Sequence, residues 1–233
     1  MSAMHSDEGF SGVENLEAMS EAENYNRYLL DVVRRHAPPG QCVLDFGAGG
    51  GRFAVPLAQQ GFDVTALEPD ERLRASILSR GVAAVSGLEQ LRDHHFGYIY
   101  SLNVLEHIPD DVAALRQLHL KLAPGGTLLV YVPAFPVLYT HMDAMVGHVR
   151  RYTRESLTAA VRAAGFTIDR CSYADSLGFF ATLLFKVVGD SSGNINRTAL
   201  RLYDRAIFPL SRLVDTVTRR WFGKNLLLLA RAE

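Results

Sequence analysis

The chain has 233 residues, of which 48% are hydrophobic and 21% charged, and this length suits one sizeable core or one domain with a large insertion. Its net charge of −1 and pI near 6.7 give no general reason to expect nucleic-acid binding. Charge is uneven, however: residues 2–24 hold six acidic side chains and no Lys or Arg, and residues 197–224 hold seven Lys or Arg against Asp204 and Asp215.

Neither a secretory signal nor a membrane span is predicted. The acidic N-terminus lacks an apolar run, and the most apolar stretch, residues 177–188, is shorter than the roughly 20 residues that a bilayer requires. Cys42 and Cys171 belong to no CxxC or Cys/His cluster, so we interpret both as buried small hydrophobic side chains in a reducing compartment. The expected location is the cytoplasm.

Helices and strands alternate along the chain. A first helix over residues 18–37 is ended by the Pro38-Pro39-Gly40 turn. Asp70 and Thr153 are expected to cap the N-termini of later helices. Strict alternation favours a parallel sheet with helices on both faces. Strands are predicted over residues 42–46, 63–67, 82–85, 98–102, 127–133, 167–173 and 225–230, and the other helices over 52–60, 70–79, 110–122, 154–164 and 199–221.

A glycine-rich loop follows the first strand in VLDFGAGGGRF, residues 43–53. Ligands of such sheets bind beyond the carboxyl ends of the strands, next to the first one. Gly47, Gly49 and Gly51 permit the turn and a close approach of the backbone to a ligand. Arg52 breaks the dinucleotide pattern GxGxxG, although a shifted register satisfies GxGxxA, and the GK[ST] ending of a Walker A loop is absent.

Glu68 follows Gly47 by 21 residues, at the end of the second strand. A carboxylate at this position can accept hydrogen bonds from both hydroxyls of an adenosine ribose. A solvated loop glutamate is the alternative. With the glycine loop before it, Glu68 favours an adenosine-containing cofactor.

Four segments then carry a family resemblance: VLDFGAGGGRFAVPLA, VTALEPD, YIYSLNVLEHIPDD and KLAPGGTLLVYVPA. In order and spacing they resemble successive motifs of the class I S-adenosylmethionine-dependent methyltransferases, over about residues 43–166. The resemblance implies an α/β fold, a Rossmann-like doubly wound sheet of seven strands, mostly parallel with one antiparallel strand, and a helical insertion before the last strand. It implies S-adenosyl-L-methionine as cofactor, held by Asp45, Gly47, Ala48, Gly49 and Gly51 at the methionine part, Glu68 and Pro69 at the ribose, Leu88 near the adenine, and Asn103 and Leu105 beside the transferred methyl.

Methyl transfer from a sulfonium is an in-line displacement in which the protein mainly aligns the acceptor. A hydroxyl or amine acceptor can also need a general base. In NVLEHIPD, Glu106 and His107 are candidates for a base or a substrate contact, and anchoring the loop is the alternative role. The polyprenyl-quinone O-methyltransferases resemble this stretch but carry a Glu-x-x-Glu-His metal site. Because Asn103 replaces the first carboxylate, we expect no metal here.

The segment THMDAMVGHVRRYTRESL, residues 140–157, is a long connection at the ligand face, which is typical of substrate-binding segments. It resembles a bacterial subgroup with D…GH.RRYT…L, whose members often lie near polysaccharide or lipid-glycan biosynthesis functions. His148 is the leading base candidate, and Asp143 joins it as a catalytic candidate. Alternatively these residues and the arginines form a hydrogen-bonded clamp that orders the loop. Substrate contacts are predicted at Tyr139, His141, Arg150, Arg151 and Tyr152.

The insertion over about residues 176–223 contains an amphipathic helical stretch, residues 199–221, which Pro209 is expected to kink or break. We expect its apolar stripe to pack on the domain or to cover the pocket. A dimer contact and a peripheral contact with an anionic membrane are the alternatives. The stripe consists of Leu200, Tyr203, Ile207, Leu210, Val214, Val217 and Trp221.

The sequence therefore predicts a helical N-terminal segment, residues 1–37, and a methyltransferase domain, residues 38–233. The expected reaction moves a methyl group to an oxygen or nitrogen of an acceptor, which is a small molecule or is linked to a lipid or glycan. The protein is expected to be a monomer or homodimer and not to bind nucleic acid. One alternative is an NAD-dependent oxidoreductase, but the chain lacks the Tyr-x-x-x-Lys motif of short-chain dehydrogenases. A non-catalytic S-adenosylmethionine-binding protein is the other.

Overall fold

The computed structural model of the chain describes residues 21–188 and 197–233. Residues 1–20 of the predicted N-terminal segment and residues 189–196 of the predicted insertion lie outside the described residues. The strands are β1 Cys42–Phe46, β2 Asp63–Leu67, β3 Ala83–Val85, β4 Phe96–Leu102, β5 Leu122–Pro133, β6 Phe166–Ala174 and β7 Asn225–Ala232. The helices are α1 Glu23–His36, α2 Ala54–Gln59, α3 Glu71–Leu78, α4 Asp111–Lys121, α5 His141–Met145, α6 Arg154–Ala163, α7 Ser176–Val188, α8 Arg197–Leu202 and α9 Phe208–Thr218.

The seven strands form one sheet in the order β3-β2-β1-β4-β5-β7-β6. Strands β1 to β5 pair in parallel, whereas β7 lies antiparallel between β5 and β6, with Leu128 opposite Ala230. The predicted doubly wound sheet with one antiparallel strand is confirmed. Because the parallel strands end at one edge, the loops after β1, β2, β4 and β5 meet there.

Both faces of the sheet are buried. In β1, Leu44 contributes to a hydrophobic cluster on one face and Val43 to a cluster on the other. This explains why the central strands are apolar at successive positions instead of alternating with polar ones. Helix α1 covers the second face with Leu29 and Val33, which pack in the same cluster as Tyr98.

Two predicted helix caps are confirmed. Asp70 accepts hydrogen bonds from the backbone amides of Arg72 and Leu73, each at 2.9 Å, and Thr153 accepts one from the amide of Ser156 at 3.1 Å. Each cap satisfies amide donors that have no partner inside the first turn of its helix.

The helical stretch before β7 is divided, as Pro209 predicted. A π-helical turn, Tyr203–Ile207, separates α8 from α9, and Pro209 lies in the first turn of α9, directly after it. The prediction that the apolar stripe packs on the domain is wrong for much of its length, because Leu210, Val217 and Trp221 are exposed. The side chains of α9 that face the protein are Phe208, Ser211 and Asp215.

The two cysteines are half-buried free thiols, not fully buried side chains as expected. Cys42 begins β1 at the edge of the core, and its thiol donates to the Asp63 carboxylate, with 3.1 Å between Sγ and Oδ2. Burial is the main cause that raises the pKa of the Cys171 thiol to about 11. At neutral pH this thiol is therefore protonated and weakly nucleophilic.

Candidate active site

The glycine loop follows β1 and lies against the end of β2. The amides of Gly47 and Ala48 both donate to the carbonyl oxygen of Leu67 at 3.0 Å. Gly47 has φ +79°, and a Cβ at this position would lie 2.5 Å from Val104 Cγ2. Glycine is therefore required at position 47 for two reasons, the left-handed backbone and the contact with the loop after β4.

Glu68 lies against this loop, as the sequence predicts. Its carboxylate accepts hydrogen bonds from the amide of Gly49 at 2.7 Å and from the amide of Asp70 at 2.9 Å. Burial raises the pKa of the carboxyl, and the two amide donors oppose that shift. The side chain is thus fixed beside the loop, at the end of β2 where an adenosine ribose would be held.

Asp45, the penultimate residue of β1, is almost completely buried. Its Oδ2 atom has no hydrogen-bond partner among the described residues, and burial raises its pKa to about 7. A buried carboxylate oxygen without a donor is a group that the ammonium of a bound amino-acid moiety would satisfy. Asp45 therefore fits the methionine part of S-adenosylmethionine, which the resemblance assigns to it.

The other predicted cofactor residues differ in accessibility. Asn103 follows β4 with φ +55°, and its backbone amide donates a hydrogen bond to the carbonyl oxygen of Tyr131 at 2.8 Å. Leu105 is fully buried in the core, Leu88 is half-buried in a short 3-10 turn, and Pro69 is exposed. Of these, Asn103 lies at the edge of the sheet where the cofactor loops meet.

Helix α1 brings Tyr25 and Asn26 to this edge, and sequence reasoning did not assign either a role. Burial is the main cause that raises the pKa of the Tyr25 phenol, and hydrogen bonding to the Asn103 side chain opposes it. Asn26 Oδ1 accepts a hydrogen bond from Arg52 Nη1 at 3.4 Å, beside the glycine loop. The spacing of apolar residues in α1 predicted a buried face, but it carried no sign of which loop that face covers.

His148, the leading base candidate, is held by Asp143. Nδ1 of His148 lies 2.7 Å from Oδ1 of Asp143. Arg151 donates to both oxygens of the same carboxylate, at 2.9 and 3.0 Å, and the amide of Thr140 donates at 2.7 Å. Burial acts to raise the Asp143 pKa, but the donors from His148 and Arg151 hold it well below its usual range. The carboxylate is therefore ionised and fixes Nδ1 of His148 as a donor.

The opposite ring nitrogen of His148 faces the loop after β4. Its Nε2 lies 3.8 Å from Oε1 of Glu106, and the His107 ring stands edge-on to the His148 ring with 4.7 Å between centroids. A backbone hydrogen bond from Val149 to the Glu106 carbonyl, 2.8 Å long, joins the two segments. The structure thus unites His148, Asp143 and His107, the three residues predicted as catalytic.

Glu106 is a carboxyl group in this cluster, and its sequence context allows a base or substrate contact as well as loop anchoring. It is fully buried, neither carboxylate oxygen has a hydrogen-bond partner among the described residues, and burial raises its pKa to about 8. Burial also lowers the pKa of His107. One ligand atom from each of Glu106, His107 and His148 lies within 4.8 Å of the others, so the three side chains have a geometry that suits a metal ion.

Three of the predicted substrate residues are occupied by protein contacts. Arg151 is bound bidentately to Asp143, and Arg150 pairs with Asp111 at 2.8 Å. Tyr152 is buried, and its hydroxyl donates to Asp111 at 2.6 Å. These contacts are at odds with a direct substrate role and support the hydrogen-bonded clamp. The remaining two, Tyr139 and His141, are half-buried and exposed respectively, and the Tyr139 hydroxyl donates to the His148 carbonyl at 2.6 Å.

Comparison with known families agrees with this geometry. Residues 21–170 match the profile of the methyltransferase domain family, a match that covers more than half of the chain. The chain belongs to this family. The chain is a class I methyltransferase, and its cofactor is S-adenosyl-L-methionine. The motifs after β1, β2, β4 and α4 lie where the resemblance placed them.

Among curated relatives, a ubiquinone biosynthesis O-methyltransferase of Xanthomonas campestris pv. campestris is 34% identical over 116 residues. The match covers 45% of this chain and 48% of the relative, so the chain spans about half the length of the curated relatives it matches.

Solved structures share the fold at low sequence identity. A methyltransferase of Thermotoga maritima, described as a possible histamine N-methyltransferase, is 19% identical with a TM-score of 0.63, and the match covers 94% of this chain and 95% of that chain. Phosphoethanolamine N-methyltransferase 2 of Haemonchus contortus, in complex with S-adenosyl-L-methionine, is 20% identical with a TM-score of 0.59, over 90% of this chain and 52% of that chain. None of the three relatives named is an NAD-dependent oxidoreductase.

Proposed function

We propose that the protein transfers the methyl group of S-adenosylmethionine to a hydroxyl oxygen of a small-molecule acceptor, with His148 as general base. The observation that carries this proposal is the hydrogen bond from His148 Nδ1 to the ionised Asp143. The O-methyltransferase relatives support oxygen as the receiving atom.

Bound S-adenosylmethionine supplies an electrophilic methyl group on a sulfonium. The residues of this chain have the remaining tasks of holding, orienting and deprotonating. Asp45, the glycine loop and Glu68 would hold the cofactor at the ends of β1 and β2, where Glu68 already contacts the loop through Gly49. His148 Nε2 would accept the hydroxyl proton of the acceptor while the acceptor oxygen bonds to the methyl carbon. The carbon–sulfur bond of the sulfonium would break at the same time, with its electron pair left on a neutral thioether, and Asp143 would stabilise the resulting imidazolium.

A divalent metal ion at Glu106, His107 and His148 is the second candidate for the same cluster. The close approach of these three side chains favours it, although the sequence analysis predicts no metal. A cation there would bind the acceptor oxygen and lower the pKa of its hydroxyl. A chelator distinguishes the two mechanisms. Methylation that survives a chelator supports the base, whereas loss with recovery on adding Mg²⁺ or Zn²⁺ supports the metal.

The acceptor is further proposed to be apolar and lipid- or glycan-linked. Phe135, the second residue after β5, stacks on Tyr173 with 5.0 Å between ring centroids and meets Phe179 edge-on at 5.3 Å. Aromatic side chains beside a site can bind apolar or ring-containing ligands. We also propose that the protein is cytoplasmic and is a monomer or homodimer. Its catalytic domain would be residues 38–233, with residues 176–223 as an insertion.

The test is a mass-shift screen of hydroxylated acceptors with S-adenosylmethionine, comparing the wild type, His148→Ala and His95→Ala. Loss of a general base should lower kcat by about 100-fold to 10,000-fold with unchanged affinity for S-adenosylmethionine. His95 is an exposed histidine at the opposite end of β4, and its variant should retain full activity. Equal kcat for His148→Ala and the wild type would refute His148 as the base.

A further inference from the structure

The insertion presents an apolar surface to solvent, which we term the outer face. On α9 and just beyond it, Leu213, Val217 and Trp221 are 67%, 66% and 65% exposed. These residues recur at intervals of about one helical turn and so share one side. An apolar stripe that stays exposed along a helix is typical of an interaction site. We define the outer face as Phe180 and Leu184 of α7, Leu210, Leu213 and Val217 of α9, and Trp221, all of which are exposed.

The orientation of α9 is fixed by polar contacts on its inner side. Asp215 accepts hydrogen bonds from the amides of Asp175 and Ser176, both at 2.9 Å, and from the Ser176 hydroxyl at 2.6 Å. Ser211 Oγ accepts a hydrogen bond from the amide of Leu177 at 2.9 Å. Rotating α9 to bury its leucines would remove these partners from buried polar groups, which is unfavourable. The apolar residues therefore remain outside.

The charges around the outer face are positive. Arg205, Arg219 and Arg220 are exposed and form no ion pair with any described residue. Within the described parts of the insertion, the acidic side chains are Asp204 and Asp215, and both are buried. A surface that combines apolar side chains with unpaired arginines is complementary to a bilayer with anionic headgroups.

The outer face also continues into the proposed acceptor site. Exposed Phe180 packs against Phe179 with 5.3 Å between ring centroids, and Phe179 meets Phe135 at the same distance. Phe135 lies just after the end of β5, and its backbone amide donates a hydrogen bond to the carbonyl oxygen of Tyr152 at 2.8 Å. An aromatic path thus leads from the solvent-facing helices to the edge of the sheet that carries the cofactor loops.

We propose that the outer face docks on a membrane that contains anionic phospholipids and receives the apolar part of the acceptor from it. Within residues 21–188 and 197–233, no helix combines the length and apolar character needed to cross a bilayer, so the contact is peripheral. Apolar insertion and electrostatic attraction act together in such contacts. The identity of the acceptor as membrane-borne rests on the proposed function, whereas the docking itself does not.

The experiment is sedimentation of the full chain with phosphatidylcholine vesicles, with and without phosphatidylglycerol. Binding is expected only to the anionic vesicles and should weaken as salt rises. A Leu213→Asp/Val217→Asp variant should lower the partition coefficient by about tenfold or more, because two charges would enter the apolar layer. The matched control, Leu78→Asp/Leu120→Asp, changes exposed leucines of α3 and α4 and should bind like the wild type.

Equal binding of the two double variants, equal binding to both vesicle types, or no binding to either would overturn the proposal. A wild type that self-associates in light scattering, and whose association Leu213→Asp/Val217→Asp abolishes without any vesicle binding, would assign the outer face to a second copy instead. Vesicle binding needs neither cofactor nor acceptor, so a failure of the methyltransferase proposal would leave this result unchanged.

Discussion

Asp204 caps the N-terminus of helix α1 through Asn24, although the two residues are 180 positions apart in sequence. The Asp204 carboxylate accepts from the amides of Asn24 and Tyr25, each at 2.9 Å, and the Asn24 side chain donates back to the Asp204 carbonyl at 2.9 Å. An interaction of this geometry is normally made by a residue directly preceding the helix. Here the insertion supplies it and thereby fastens α1 over the cofactor edge of the sheet.

Replacing Asp204 by Ala should loosen the first turn of α1. Loss of a helix cap costs about 1 kcal/mol, and more where the amide donors stay buried without partners. Hydrogen exchange at residues 24–27 should therefore accelerate. Asp204→Asn, which keeps an acceptor oxygen, should show a smaller increase. Unchanged exchange in Asp204→Ala would show that the cap does not hold the helix.

The buried Glu106 should make stability depend on pH. Its folded-state pKa of about 8 lies above the ordinary value, so between these two values the folded state binds the extra proton. Stability then falls as pH rises through this window. Relative to Glu106→Gln, the wild type should lose at least about 1 kcal/mol of unfolding free energy between pH 5 and pH 8. Urea denaturation of both proteins at each pH measures it, and parallel pH curves would contradict the prediction.

Glu68 should govern cofactor affinity. Hydrogen bonds to a charged group contribute about 1.5–3 kcal/mol each, and the carboxylate can accept one from each ribose hydroxyl. Glu68→Ala should therefore raise the Kd for S-adenosylmethionine about 100-fold in calorimetric titration. Glu71→Ala, which removes an exposed carboxylate from the first turn of α3, is the control and should bind normally. A Kd within twofold of the wild type would exclude a ribose contact.

Gly47 and Gly49 offer a matched pair in the cofactor loop. Both have positive φ, so alanine at either position incurs a backbone cost of about 1–2 kcal/mol. A Cβ at Gly47 would additionally overlap Val104, whereas a Cβ at Gly49 would have nothing within 4 Å. Gly47→Ala should therefore lower the melting temperature clearly more than Gly49→Ala does. Equal shifts in thermal denaturation would mean that the loop relaxes freely around Val104.

The cofactor side of the site was largely predictable because its signals are local. A glycine run after an apolar strand and an acidic residue after the next strand specify positions at one edge of a parallel sheet. Glu68 and Gly49 accordingly lie in hydrogen-bond contact. The acceptor side was less predictable. His148 was identified as a base candidate, but its approach to Glu106 depends on how a long connection folds back.

The direction of the apolar stripe shows the same limit. Periodicity correctly indicated that Leu210 and Val217 share a face of one helix, but it cannot tell whether that face points inward. Here Ser211 and Asp215 decided the orientation, since their hydrogen bonds to the start of α7 require the polar side to be buried.

The fold class, the glycine loop and the cofactor follow from the sequence alone, because periodicity and motifs a few residues long specify them. Three arrangements depend on the folded chain: Arg151 is bound to Asp143, His148 faces Glu106, and the insertion turns its apolar side to solvent. Those arrangements arise from contacts between segments distant in sequence, where the satisfaction of buried polar groups outweighs local pattern.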